Sequence, residues 1–169
     1  MVIWIIGLSG SGKSTLGHKI FKKVKRFKDN IIIIDGDEFR KVMNNDLGYS
    51  LNDRKINAQR IARFCKFCDN QGIHVICPIL SIFPEIRAWN RKNIKHYYEI
   101  FIESDIETLK KRDSKGIYKK YKNKKIKNVV GLDIKFPLPR NSDLVIKNNK
   151  SLKTFTSYSD LISEIILKK

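Results

Sequence analysis

The sequence contains no apolar run that approaches the eighteen or more residues of a membrane-spanning helix. It also lacks a basic segment at its start, because the first apolar residues continue directly into a glycine-rich loop. These two absences predict a cytoplasmic protein with no membrane partner. No internal repeat and no domain linker interrupts the 169 residues, and we therefore expect a single domain over residues 1–169.

Cysteine is scarce, with three residues in the chain. Cys65 and Cys68 form a C-x-x-C pair, but the pair falls inside a helical pattern and not at a helix N-terminus, where a reactive thiol pair would lie. No second pair completes a zinc site. We therefore expect Cys65, Cys68 and Cys77 to be small buried hydrophobic residues.

Acidic residues and arginine are both scarce relative to lysine. The formal charge of +18 comes from 26 lysines and 9 arginines against 17 acids. A strongly basic chain suggests nucleic-acid binding, but recognition of phosphates and bases favours arginine, which donates two parallel hydrogen bonds. The lysine excess instead favours a basic surface that attracts small polyphosphates, and nucleic-acid binding is kept as an alternative.

Apolar runs alternate with amphipathic stretches along the chain. Buried strands are predicted at residues 2–6, 31–34, 72–80, 97–103 and 143–147. Helices are predicted at residues 13–26, 52–71, 105–112 and 157–169, with a serine capping the last, and a further helix is predicted to begin at Pro84. Strands separated by helices of this length predict an α/β fold in which helices flank a five-stranded parallel sheet.

A glycine-rich loop follows the first predicted strand. Residues 7–14 fit G-x-x-x-x-G-K-[ST] at every fixed position, and such a loop lets backbone N–H groups converge on phosphate oxygens at a helix N-terminus. Lys13 is expected to reach the β- and γ-phosphates of ATP, and Ser14 to offer its hydroxyl to Mg²⁺. The predicted ATP site consists of Gly7, Ser9, Gly10, Ser11, Gly12, Lys13, Ser14 and Thr15.

Two aspartates, Asp35 and Asp37, follow the second predicted strand. Side chains at the carboxyl ends of parallel strands point into the ligand crevice of an open α/β sheet. One carboxylate beside Mg-ATP can support the metal shell, while the other accepts a proton from an attacking hydroxyl. The alternative is a turn with two capping aspartates. Arg40 close by favours a site that binds an anion and deprotonates an alcohol.

Lysines are concentrated between the fourth and fifth predicted strands. Residues 110–127 hold nine lysines and one arginine, with Asp113 as the single acid. A solvated loop is one interpretation of this composition. In a kinase, a basic segment at this place predicts a lid over about residues 110–130 that closes on polyphosphate.

Five stretches resemble one enzyme family. "GLSGSGKST", "IDGDEFRK", "NNDLGYSLNDRKINAQR", "RDSKGIYKK" and "VGLD" occur in the order and spacing found in adenylyl-sulfate kinases, over residues 2–146. The resemblance implies a small P-loop kinase, usually a homodimer. Members of that family transfer the γ-phosphoryl group of ATP to the 3′-hydroxyl of adenosine 5′-phosphosulfate.

The resemblance also implies roles for individual residues. Asp37 looks like the base for the 3′-hydroxyl with Asp35 in support, Lys115 like the lid lysine that neutralises the transferring phosphate, and Arg112 like the residue packed on the ATP base. Ser81 matches a serine described as a phosphoenzyme intermediate, but no histidine or carboxylate is adjacent in sequence, so we expect a positioning hydroxyl. The implied acceptor site consists of Asp37, Arg40, Tyr49, Arg54, Asn57, Ile79, Leu80, Ser81, Lys115 and Val129.

Three departures from the family pattern concern the acceptor. Pro84 stands where the family has arginine, Val129 replaces a phenylalanine that stacks on the acceptor adenine, and Asn45 stands where a basic residue is common. Close relatives of the family use cytidine diphosphoramidate in capsule phosphoramidate synthesis, and a pocket with Val129 and no arginine at position 84 is compatible with this acceptor, which we prefer. Adenylyl sulfate is the first alternative. Another acceptor of a small P-loop kinase, or a nucleic-acid-binding NTPase, is the second.

Overall fold

A parallel sheet of five strands forms the centre of the molecule, in a computed structural model that describes residues 1–149 and 154–169. The strand order is β2-β3-β1-β4-β5, and every pairing is parallel. The strands are β1 (Val2–Ile6), β2 (Ile31–Ile33), β3 (His74–Ile79), β4 (Tyr97–Glu103) and β5 (Leu144–Lys147). The predicted five-stranded parallel α/β fold is confirmed.

Seven helices connect and cover the strands within the described residues. They are α1 (Lys13–Val24), α2 (Gly36–Val42), α3 (Leu51–Asn70), α4 (Pro84–Asn93), α5 (Ile106–Arg112), α6 (Ile117–Lys122) and α7 (Thr154–Leu167). Pro84 opens α4 at its first turn as predicted, because a proline there loses no helical hydrogen bond. The predicted serine cap of the last helix is wrong, since α7 begins at Thr154 and Ser157 lies inside it.

Both faces of the sheet are buried. All five residues of β1 are inaccessible to solvent, as expected for a central strand between two helical layers. Trp4 faces a cluster with residues of α3 such as Ile61, while Ile5 faces one with residues of α1 and α7 such as Ile20. The P-loop therefore begins at the end of the most buried strand.

The three cysteines lie in this interior. Cys65, Cys68 and Cys77 are free and buried, which confirms the prediction. Burial raises the pKa of Cys77 well above its usual range and also raises that of Cys68. The thiols of Cys68 and Cys77 are therefore protonated, inert parts of the core at neutral pH.

The lysine-rich segment is partly helical. It includes the end of α5 and the whole of α6, so the interpretation as a simple solvated loop is wrong for residues 117–122. The Asp113 carboxylate accepts hydrogen bonds from the backbone N–H groups of Tyr118 at 3.1 Å and Lys119 at 2.8 Å. The single acid of the segment thus satisfies the first N–H groups of a helix rich in lysine.

No helix in the described parts of the chain is long and apolar enough to cross a bilayer.

Candidate active site

The P-loop joins β1 to α1, and close neighbours require glycine at two of its positions. Gly12 has a φ of +100°, and a Cβ placed there would lie 2.4 Å from the ring of Phe155. A Cβ at Gly7 would lie 2.8 Å from the carbonyl oxygen of Ile102. The loop is therefore a tight backbone turn that ends at the N-terminus of α1, which is the geometry that binds phosphate groups.

Lys13 is the first cation of this loop. Its Nζ donates a hydrogen bond to the carbonyl oxygen of Leu8 at 2.8 Å. The pKa of Lys13 is lowered to about 8, mainly by burial and then by the nearby charge of Lys115, although Asp35 and Asp37 act in the opposite direction. Two ammonium groups facing each other across a cleft favour the binding of a polyanion between them.

Asp35 connects the P-loop with the end of β2. Its Oδ2 accepts a hydrogen bond from Ser14 Oγ at 3.1 Å, and its Oδ1 accepts one from the backbone N–H of Asp37 at 2.9 Å. The capping interpretation therefore holds for Asp35, which is the N-cap of α2. The same carboxylate lies beside Ser14, and a hydroxyl with a carboxylate is a donor set that suits Mg²⁺.

Asp37 faces the lysine-rich segment. Lys115 Nζ donates a hydrogen bond to Asp37 Oδ2 at 3.1 Å, and the two residues form an ion pair across 78 positions of sequence. Burial lowers the pKa of Lys115, but the hydrogen bond and charge of Asp37 outweigh it, so that the pKa is raised. The structure thus brings together the expected general base and the expected lid lysine.

Tyr118 attaches the lysine-rich segment to the P-loop. Its side chain is buried, and its hydroxyl donates a hydrogen bond to the carbonyl oxygen of Ser9 at 2.9 Å. Burial raises the pKa of Tyr118 to about 12, so the hydroxyl keeps its proton. Arg112 also lines the cleft, and its expected contact with the ATP base stays a prediction. Sequence reasoning missed Tyr118, and the motif "KGIYKK" gave no signal that its tyrosine contacts the loop.

Two arginines enclose Tyr49 on the other side of the cleft. The guanidinium carbons of Arg40 and Arg54 lie 4.9 and 5.3 Å from the centre of its ring. Arg40 also donates to the carbonyl oxygen of Gly48 at 2.9 Å, and Arg54 to that of Asn128 at 3.0 Å. Burial, followed by the like charge of Arg40, lowers the pKa of Arg54. The two adjacent guanidinium groups, held between α2, α3 and the segment beyond α6, are a donor set that suits an anion.

Asn57 and Val129 complete the same side of the cleft. Asn57 is buried on α3, and its Oδ1 has no hydrogen-bond partner within the described residues. Val129 is buried, and its backbone N–H is held by the Asp133 carboxylate at 2.5 Å. An unsatisfied amide oxygen at the cleft provides an acceptor for a ligand N–H or O–H group.

Ser81 has a buried side chain at the cleft wall. Its Oγ accepts a hydrogen bond from Trp4 Nε1 at 2.9 Å. The hydrogen-bond partner of the hydroxyl is therefore an indole N–H, which cannot remove its proton. This contact supports the expected positioning role, and it argues against Ser81 as a nucleophile.

One cleft of about 760 Å³ contains most of the residues predicted from sequence, a volume within the range of ligand sites. Gly7 and Ser11 do not line it. Pro84 and Asn45 also lie outside it, so of the three departures named above Val129 is the one that lines the cleft. The predicted residues that line it are Ser9, Gly10, Gly12, Lys13, Ser14, Thr15, Asp35, Asp37, Arg40, Tyr49, Arg54, Asn57, Ile79, Leu80, Ser81, Arg112, Lys115 and Val129.

A P-loop after the central strand β1, two carboxylates after the edge strand β2 and a basic segment across the opening define a P-loop kinase. The family model for adenylylsulphate kinase matches residues 1–147. The chain therefore belongs to the adenylylsulphate kinase family, and it is an ATP-using phosphotransferase with a hydroxyl acceptor.

The names of individual relatives refer to two different acceptors. The chain is 46% identical to the cytidine diphosphoramidate kinase of Campylobacter jejuni, over 88% of this chain and 86% of that one. It is 38% identical to the adenylyl-sulfate kinase of Clostridium acetobutylicum, over 88% and 75%. The solved structure of the Mycobacterium tuberculosis APS kinase CysC with AMPPNP and APS superposes with a TM-score of 0.84, at 30% identity over 95% and 96% of the two chains.

Proposed function

We propose that this protein transfers the γ-phosphoryl group of ATP to the 3′-hydroxyl of cytidine diphosphoramidate, as a step of capsule phosphoramidate synthesis. The observation that carries the proposal is Val129, a small residue that lines the cleft where the family has an aromatic one. A smaller residue removes the stacking partner of a purine, and stacking contributes about 1–3 kcal/mol per base. The similarity to the Campylobacter jejuni enzyme supports the same acceptor.

ATP binds at the P-loop in this proposal. The backbone N–H groups of the loop and Lys13 hold the β- and γ-phosphates, and Arg112 packs on the base. Mg²⁺ fits beside Ser14 Oγ and Asp35 Oδ2, which already lie 3.1 Å apart, and when bound it supplies positive charge to the phosphates. Placing the donor at the end of β1 leaves the rest of the cleft to the acceptor.

The acceptor is held by its anionic 5′ group and its ribose. Arg40 and Arg54 provide two adjacent cations, and their charge favours a diphosphate-like group over an uncharged one. The unpartnered Oδ1 of Asn57 accepts a hydrogen bond from a hydroxyl of the ribose. These contacts direct the 3′-hydroxyl towards Asp37.

Asp37 acts as the general base. The 3′-oxygen forms a bond to the γ-phosphorus while the bond from that phosphorus to the bridging oxygen of ADP breaks, and the 3′-hydroxyl proton passes to the Asp37 carboxylate. Lys115 exchanges its contact with Asp37 for the transferring phosphate, where Lys13 already provides charge. We propose residues 110–130 as the lid that makes this exchange, within one kinase domain that acts as a homodimer.

Adenylyl sulfate is the alternative acceptor, and one specific observation favours it. The structural neighbour bound to APS superposes over 95% of this chain, so the fold is compatible with that ligand. Both acceptors share the ribose 3′-hydroxyl and an anionic 5′ group. The nucleobase of the acceptor, cytosine or adenine, is therefore the feature that distinguishes the two hypotheses.

The test compares kcat/KM for the two acceptors with Mg-ATP, in the wild type and in Val129→Phe. We expect the wild type to prefer the cytidine substrate by about 10² or more, and the added aromatic ring to raise adenosine turnover by roughly 5- to 150-fold. Val129→Leu, which adds volume at the same position without an aromatic ring, is the matched control. A wild type that prefers adenylyl sulfate would assign the alternative function.

A further inference from the structure

The chain adopts a left-handed conformation where it leaves β3 for α4. Ser81 has a φ of +51°, in a region that non-glycine residues seldom occupy. Such a residue persists only when its surroundings hold it in place. Ser81 is buried, so solvent does not provide those contacts.

Two side chains hold Ser81 from opposite directions. Trp4 Nε1 donates to its Oγ at 2.9 Å, and Arg87 Nη1 donates to its carbonyl oxygen at 2.8 Å. Both donors are themselves buried, with 0% of Trp4 and 8% of Arg87 exposed. A buried guanidinium that donates to a backbone carbonyl makes a stronger hydrogen bond than a neutral donor does. One residue is thus fixed through its side chain and its backbone.

The segment that Ser81 orients forms a wall of the cleft. Leu80, Ser81, Ile82 and Phe83 all line the cleft, on the side that the proposal above gives to the acceptor. Trp4 lies three residues before Gly7, the first residue of the P-loop, and Arg87 lies on α4. The two hydrogen bonds therefore connect this wall to the strand that carries the P-loop and to the helix that follows the wall.

We propose that Trp4 and Arg87 are positioning residues for the acceptor. They hold Ser81 in its left-handed conformation and thereby fix the wall formed by residues 80–83 relative to the P-loop. The inference rests on the proposed function only in assigning this wall to the acceptor nucleotide. The two hydrogen bonds to Ser81 belong to the wall itself, and their effect on its backbone is measurable without turnover.

The first experiment removes the contact to the carbonyl. In Arg87→Met we expect KM for the acceptor to rise roughly tenfold or more, as for a lost charged hydrogen bond, with KM for ATP within about twofold of wild type. Arg87→Lys keeps a cationic donor and restores part of the loss, and it serves if the methionine variant folds poorly. Arg91→Met is the matched control, because Arg91 lies on the same helix but pairs with Asp143. Equal increases in both KM values would show a structural role only and overturn the inference.

The second experiment removes the contact to the hydroxyl. Trp4→Phe and Ser81→Ala each break the same hydrogen bond, so we expect the double variant to raise the acceptor KM less than the product of the two single effects. Fully independent effects would contradict a shared contact.

The third experiment tests the backbone conformation. Glycine adopts a φ of +51° without strain whereas alanine does not. We therefore expect Arg87→Met with Ser81→Gly to recover a lower acceptor KM than Arg87→Met with Ser81→Ala. Equal acceptor KM values in the two double variants would show that Arg87 does not act by stabilising the left-handed conformation of Ser81.

Hydrogen–deuterium exchange separates this inference from the proposed function. We expect Arg87→Met and Trp4→Phe to accelerate exchange at residues 80–84 and to leave residues 7–15 unchanged, in the protein without ligand. Unchanged exchange in the turn would overturn the inference. A wild type that phosphorylates neither nucleotide would overturn the proposed function, while the exchange result would still decide whether the turn is held.

Discussion

The carboxylates of Asp35 and Asp37 are two residues apart but have different partners. Asp35 contacts Ser14 and the backbone of α2, and Asp37 contacts Lys115 from the lysine-rich segment. Both carboxylate oxygens of Asp35 accept a hydrogen bond, whereas Asp37 Oδ2 accepts its bond from Lys115, a residue of the proposed lid. This difference supports the proposal that Asp37 is the general base.

We predict that Asp37→Asn lowers kcat by at least ~10² while ATP binding persists, because general bases contribute about 10²–10⁴ in rate. Single-turnover kinetics and titration with a non-hydrolysable ATP analogue measure the two quantities. Glu38→Gln is the matched control, since Glu38 is the adjacent acid and pairs with the exposed Lys41. Unchanged turnover in Asp37→Asn would refute the assignment.

The protonation state of Lys13 changes between pH 7 and pH 9. Its pKa of about 8 in the free protein means that it carries a proton at pH 7 and has lost it in most molecules at pH 9. ATP phosphates favour the charged form, so we expect ATP affinity to fall roughly tenfold between pH 7 and pH 9 and binding at pH 9 to take up a proton.

Calorimetry in buffers of different ionisation enthalpy measures that proton uptake. Lys13→Met should bind ATP weakly at both pH values, without the tenfold difference. A wild-type affinity that stays constant from pH 7 to pH 9 would contradict a lowered Lys13 pKa.

Local motifs explain which site residues could be predicted from the sequence. Lys13, Asp35 and Asp37 were found because the P-loop pattern and strand ends fix their positions within a few residues. Trp4 and Arg87 were missed, since their importance depends on contacts with Ser81, which is 77 residues from Trp4. Such contacts follow from the packing of β1, β3 and α4, and a single sequence does not show them.

Among the secondary-structure elements, strands were easier to predict than short helices. Continuous apolar runs mark β1 and β4, whose predicted bounds agree with the structure. Helix α2 was missed because its seven residues begin with Gly36 and Asp37, which resemble a turn. Helix α6 was missed because its six residues are rich in lysine and contain one buried position, Tyr118, which is too few for an apolar periodicity.

Helix α7 supports the P-loop through Phe155, and this gives a prediction. Gly12→Ala would place a methyl group against the Phe155 ring, so we expect loss of ATP affinity and a lower free energy of unfolding. Gly72→Ala is the matched control: Gly72 also has a positive φ, of +71°, but open space around it, so the strain alone should cost about 1 kcal/mol. Denaturant unfolding and ATP titration compare the two. Equal effects would show that the Phe155 contact is irrelevant.

Helix α6 gives a prediction about the proposed lid. Tyr118→Phe removes the hydrogen bond to Ser9, which contributes about 1 kcal/mol. We therefore expect trypsin to cleave the lysine-rich segment roughly fivefold faster in this variant. Tyr121→Phe, the same change three residues along the helix, is the control. Identical cleavage rates would mean that Tyr118 does not attach the segment to the P-loop.

The charge of +18 acts at the scale of the whole molecule. Screening shortens the range of exposed charges to about 10 Å at 0.1 M salt. We therefore expect KM for both nucleotides to rise severalfold between about 50 and 300 mM NaCl, with a smaller change in kcat. Steady-state kinetics at constant pH measure this. ATP hydrolysis that is stimulated by RNA or DNA would instead support the nucleic-acid alternative.

The strand order separates the two halves of the cleft. The P-loop follows β1, whereas the acceptor wall follows β3 and the paired aspartates follow β2. Under the proposed function, we expect a mutation at Val129 or in the wall to alter which nucleotide is accepted without disturbing the backbone that holds ATP. Such a division would let the acceptor of a kinase of this fold change by single substitutions while the ATP site is retained.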